Sequence, residues 1–149
     1  MKKEFGDYLE SIGLTDVIIK RIEVVYQFYE KTLGKLDDEI QDIFVTDYIS
    51  KDGMRQYENL WFFGKNYFME AKLFLNQDDF DISPSAKKID WIQVKKQDYD
   101  FVKANEKSRL YVNLLFLSKA GTASFKASED NCDYLKEIYL KHMLSNLRL

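Results

Sequence analysis

Few side chains in this sequence have the chemistry to react. His142 is the sole histidine and Cys132 the sole cysteine. A histidine acting as general base needs a partner group and a pocket, and no partner can be named for His142 from its neighbours. Cys132 is one position from Asp133 and close to Glu129, and flanking carboxylates raise a thiol pKa instead of activating it. The two residues lie ten apart on a stretch that reads as one helix, about 15 Å by helical rise, too far for contact. The acidic run Asp78-Asp79-Phe80-Asp81 has oxygen ligands of the kind Ca²⁺ or Mg²⁺ prefers. It lacks the glycine turn and distal glutamate of an EF-hand loop and is read as solvated. No glycine-rich phosphate loop, serine elbow or zinc spacing occurs, and Ser83-Pro84-Ser85 reads as a turn. The expectation is a protein that is not an enzyme, with no catalytic residue, cofactor or metal.

Tyr57, Trp61, Phe63 and Phe68, near Lys65 and Lys72, offer aromatic faces on which bases stack. Such a platform needs surrounding cations. The chain carries a net charge of −3, so these rings are assigned to the core and no nucleic-acid partner is expected.

The elements that would position these groups follow from hydrophobic period. Phe5, Tyr8, Leu9 and Ile12 recur at i, i+3, i+4, i+7, a helical face. Gly13 suits a left-handed C-terminal cap and Thr15 an N-cap, with Asp16 at the positive helix end. A second stripe, Ile18, Ile22, Val25, Tyr29 and Leu33, is widened by Val17, Val24 and Phe28, and Gly34 reads as its stop. A helical pair is thus predicted over Lys2–Leu33. The period then shortens to aromatic and β-branched segments between turn residues. Seven antiparallel strands are predicted, at Glu39–Ile49, Met54–Phe63, Tyr67–Phe74, Lys88–Lys95, Asp98–Lys103, Ser108–Leu117 and Thr122–Ala127. Asp52-Gly53 is the strongest hairpin signal. In the last strand Ala123, Phe125 and Ala127 face inward and Thr122, Ser124 and Lys126 outward. Ser128 is read as the N-cap of a final helix with Leu135, Ile138, Tyr139 and His142 on one face, extended by Met143, Leu144 and Leu147.

The 149 residues suit a domain of ordinary size, able to bury roughly two-thirds of its unfolded surface without disulfides or metal. Hydrophobic residues make up 46% and aromatics 15% of the chain, too many for a disordered one. Residues 1–38 carry six Lys/Arg and eight Asp/Glu, so the front of the chain is no basic arm. A lone thiol suits a reducing compartment. No apolar leader follows Met1-Lys2-Lys3, and no apolar run approaches the roughly 20 residues of a membrane span. A cytoplasmic location is expected.

Seven meandering strands followed directly by a helix resemble the pleckstrin-homology-like barrel, bacterial members included. The strand pair from Tyr57 through Phe74 with its turn at Gly64-Lys65-Asn66, and the passage from Ala123 to Tyr139, carry the resemblance. It implies an α+β fold with an N-terminal helical pair at 1–36 docked on a seven-stranded barrel with a long C-terminal helix at 37–149. Tyr134 and Tyr139 stand where many members carry a Trp in the last helix. Members that bind phosphoinositides cluster cations in the first strand–strand loop. Here Lys51 and Arg55 flank Asp52, a poor anion trap, and no strong membrane binding is expected. The fold does not fix function. The expected role is a non-catalytic interaction or scaffold module, engaging a protein or a second copy as a homodimer. Its expected surface is Val17, Val24 and Phe28, with Lys51 and Arg55. The alternative is a small apolar-ligand-binding protein whose curved sheet is gripped by the last helix.

Overall fold

Helices come first, then strands, then a helix again, and the fold is mixed α+β. The computed structural model describes residues 1–72, 75, 82, 84–89, 91–100, 109–116 and 122–143. The helices are α1 (Lys3–Ser11), α2 (Asp16–Gly34) and α3 (Asn131–Ile138), the last continuing as a π-helical turn, Tyr139–Met143. The strands are β1 (Asp42–Ile49), β2 (Arg55–Phe63), β3 (Tyr67–Ala71), β4 (Lys87–Lys88), β5 (Trp91–Asp100), β6 (Arg109–Phe116) and β7 (Thr122–Ser128). They form a four-stranded sheet in the order β1-β2-β3-β4 and a three-stranded sheet in the order β5-β6-β7. The seven described strands therefore belong to two sheets, and their pairings do not close a single barrel. Two compact units result, Met1–Val45 with Glu58–Lys88, and Thr46–Tyr57 with Ile89–Leu149. β1 and β2 contribute residues to both.

In the first unit the break between α1 and α2 is set by backbone chemistry. Gly13 takes φ 94°, and Leu14 N–H bonds the Leu9 carbonyl at 3.1 Å, closing a Schellman turn. Thr15 then accepts the Ile18 N–H on its hydroxyl at 3.4 Å. Gly34 does not make the next left-handed turn. That falls on Asp37, at φ 54°, followed by a bond from Asp38 N–H to the Leu33 carbonyl. Phe5, Tyr8, Leu9 and Ile12 are all buried, as are Ile22, Val25, Tyr26, Tyr29 and Leu33 of α2. Tyr29 stacks on Phe62 of β2 with ring centroids 4.3 Å apart, and the Tyr8 hydroxyl accepts the Val45 N–H of β1 at 3.0 Å. The helical pair thus packs on the strands of its own unit. Leu60, Trp61, Phe62 and Phe63 are buried without alternation, as expected of a strand covered on both faces.

The turn from β2 to β3 is held by Asp38, just beyond α2. Its carboxylate accepts backbone N–H bonds from Glu39 (2.8 Å), Lys65 (2.8 Å), Asn66 (2.9 Å) and Tyr67 (3.1 Å). Partial burial pushes its pKa up, but these four donors outweigh that and hold it below the ordinary value. A Cβ on Gly64 would lie 2.4 Å from the Asp38 Oδ2, so the cradle requires glycine there.

In the second unit, Ser50–Met54 closes the β1–β2 hairpin. Gly53 N–H bonds the Ser50 carbonyl at 2.9 Å and Ser50 N–H the Met54 carbonyl at 2.8 Å. Gly53 alone takes positive φ, at 80°, which makes a type I turn with a left-handed glycine instead of the two-residue primed turn that Asp-Gly suggests. The strands predicted at Lys88–Lys95 and Asp98–Lys103 require correction. Lys87–Lys88 pairs with β3, whereas Trp91 begins one continuous strand to Asp100 against β6. The polar pair Lys96-Gln97 between the two predicted strands reads as a break because it lacks apolar side chains, but ladder bonds join backbones and carry through it. Register shifts at Trp91/Gln93 and Val94/Lys96 absorb the irregularity. Ala123, Phe125 and Ala127 of β7 are buried as expected.

Candidate functional site

Asp47 lies in the middle of β1, in the run Phe44-Val45-Thr46-Asp47-Tyr48, and its side chain is wholly buried. A buried carboxylate persists only when paired and fully hydrogen-bonded. Asp47 accepts from Ser128 N–H at 3.0 Å, the Ser128 hydroxyl, Asn131 Nδ2 at 2.7 Å and Arg55 Nε at 2.8 Å. Arg55 also approaches Asp130 at 3.2 Å and Glu129 at 3.9 Å and lies over the Tyr57 ring at 5.4 Å. Burial disfavours the Arg55 cation, but the Asp47 carboxylate outweighs this and holds its pKa above the ordinary value. One carboxylate therefore ties the β1–β2 hairpin to the corner where β7 turns into α3. Ser128 is accordingly not a helix N-cap. It ends β7, Glu129 takes φ 53° to turn the corner, and the Ser128 hydroxyl bonds Asp47. With every oxygen of Asp47 engaged, the cluster is a lock, not an open binding site.

Arg55 is thus drawn inward, 16% exposed, while Lys51 is exposed at the hairpin tip. Cys132 is buried, and burial first, then Asp47 and Asp133, pushes its thiol up to about 11. His142 is buried in the π-helical turn, with Met143 beside it also buried. Leu135 and Ile138 are buried, Tyr139 is half-buried, and Leu144 and Leu147 lie outside the described residues. The acidic run at 78–81 lies outside them as well. Among the described residues no group of His, Cys, Asp and Glu is arranged to hold a metal ion. None of the described helices is long and apolar enough to cross a membrane. Trp61, Phe63 and Phe68 are buried in the first unit, Trp61 stacked on Phe68 at 6.1 Å, so they present no base-stacking platform.

The outward side of α2 differs from these locked clusters. Val17 is 72%, Val24 61% and Phe28 50% exposed. At about 100° per residue they fall within roughly 40° of one another, a stripe about 16 Å long. The same helix buries Ile22, Val25, Tyr26, Tyr29 and Leu33 on its opposite side, so one helix carries two apolar faces, of which only one is covered among the described residues. The spacing of seven and four made the second face legible in the sequence. Asp47 and Asp38 were missed. A lone Asp within an apolar strand was the available signal for the former; the latter is an ordinary loop residue until the turn closes on it. No family model, curated protein or solved structure matches the chain.

Proposed function

We propose that this protein is a non-catalytic interaction module that engages its partner through the outward face of α2. The observation that carries this is the exposure of Val17, Val24 and Phe28 together on one side of a helix whose other side is already packed. Single exposed apolar residues are ordinary, whereas contiguous ones commonly mark interaction sites. The locked state of the Asp47 cluster, the raised thiol of Cys132 and the buried His142 lend no competing chemistry. A pleckstrin-homology-like relationship belongs to the same reading. It is supported by the order of a four-stranded sheet, a three-stranded sheet and then a helix.

The test is site-specific photo-crosslinking in source-cell extract, with the reactive side chain placed at position 24 and, as control, at exposed Lys65. A discrete adduct from position 24 that Lys65 does not give is the expected result. Equal labelling from both positions, or none from 24, would overturn the assignment.

A further inference from the structure

Around α2 the apolar stripe has a consistent electrostatic border. Taking about 100° per residue, Lys20, Arg21, Lys31 and Lys35 all lie within roughly 60° of the stripe's centre. Asp16, Glu23 and Glu30 fall about 100° or more away. Lys20, Lys31 and Lys35 are exposed, and no ion pair holds any of the three among the described residues. Every α2 charge within roughly 60° of the exposed apolar stripe is therefore positive, on an otherwise acidic chain.

This border discriminates among occupants. Two copies paired about a two-fold would set stripe on stripe, and with the helices either parallel or antiparallel the bordering cations would face cations. Like charges across an interface oppose association. The stripe also exposes only on the order of a few hundred Å², short of the ~800 Å² per partner that a stable dimer covers. An anionic membrane would meet the cations well, but it would also face a chain of net charge −3. Of the Trp, Phe and Leu usual on the apolar face of interfacial helices, the stripe offers only Phe28. A helix with apolar anchors and acidic flanks satisfies both features at once. Its anchors pack between Val17, Val24 and Phe28 as ridges into grooves, and its carboxylates meet Lys20 and Lys31.

Building on the α2 interaction reading, we infer that the partner is an acidic amphipathic helix, bound across the outward face of α2. The probe is a labelled peptide with Leu at i, i+3, i+4 and i+7 flanked by Glu, compared with the same peptide carrying Lys for Glu. Binding to the full chain is read by fluorescence anisotropy at low and high salt. The acidic peptide is expected to bind at least about tenfold more tightly than the basic one, with an affinity that salt weakens. A K20E/K31E variant should lose or reverse that preference, and Val24→Glu should abolish binding. Because these side chains are exposed, the variants should keep the wild-type melt; Phe28→Ser replaces Val24→Glu if that variant does not fold. Equal or tighter binding of the basic peptide overturns the partner chemistry and leaves the α2 reading standing. So does a dimer in sedimentation of the intact chain that Val24→Glu dissolves, or co-sedimentation with phosphatidylserine vesicles that Val24→Glu removes. Failure of peptides, self-association and vesicles alike, together with no adduct from position 24, overturns both.

Discussion

Replacing Asp47 by Ala tests the reasoning about the buried lock most directly. The substitution withdraws the shared acceptor of Ser128 N–H, the Ser128 hydroxyl, Asn131 Nδ2 and Arg55 Nε. Arg55 is left beside Asp130 and Glu129, which are themselves 53% and 31% exposed and so compensate weakly. Removing one partner of a buried pair costs about 3–5 kcal/mol. Against a total stability of about 5–15 kcal/mol this is large. At about 2–4 °C per kcal/mol for a chain of this size, the thermal midpoint should fall by roughly 6–20 °C. Arg55→Ala should cost less, because Asp47 then keeps three of its four donors. In the double variant the two costs should fall short of additivity by about 0.5–3 kcal/mol, since each single change removes the same contact. The assay is far-UV circular dichroism of wild type, both singles and the double across a melt. An Asp47→Ala midpoint within about 2 °C of wild type, or strict additivity in the cycle, would refute the lock.

Three further expectations follow from the same geometry. Gly64→Ala should cost about 1–3 kcal/mol, the range for overpacked sites, and much less in an Asp38→Ala background, because the three heavy atoms nearest that Cβ all belong to the Asp38 carboxylate; equal costs in both backgrounds, by urea denaturation, would contradict this. Asp38 has a folded pKa below its ordinary 3.8, so its contribution is present above that pH and is lost as pH falls through the folded value; the stability gap between wild type and Asp38→Asn should narrow in acid, and a gap that widens would contradict the assignment. The Cys132 thiol, raised from 9.0 to about 11, should resist alkylation at pH 8 until the chain unfolds, and its contribution to stability should decline as pH rises above about 9, where the unfolded thiol ionises first; prompt labelling of the native protein would show that the site is open.

What the sequence determined by itself is local. The stripes of α1 and α2, the break at Gly13 and Thr15, the hairpin at Gly53 and the alternation of Ala123, Phe125 and Ala127 depend on backbone preferences and on side-chain periods of a few residues. Those signals are written within a turn or two of where they act. The second apolar face of α2 was legible for the same reason, since Val17, Val24 and Phe28 repeat at helical spacing. Only the tertiary structure decided where charges and hydroxyls are spent. Asp47 meets Ser128 across 81 positions and Asp38 meets Tyr67 across 29, and no local pattern records such partners. Arg55 read as a surface cation because its loop is polar, but a buried carboxylate eight residues earlier draws it inward. Ser128 read as a helix cap because Ser before acidic residues usually is one, but its hydroxyl goes to Asp47. The strands at 87–100 divided between two sheets because pairing is a property of the partner strand's backbone, which hydrophobic period does not report. A carboxylate buried without donors is too costly to persist, so the fold gathers the donors from distant segments, and the assembled chain decides which ones.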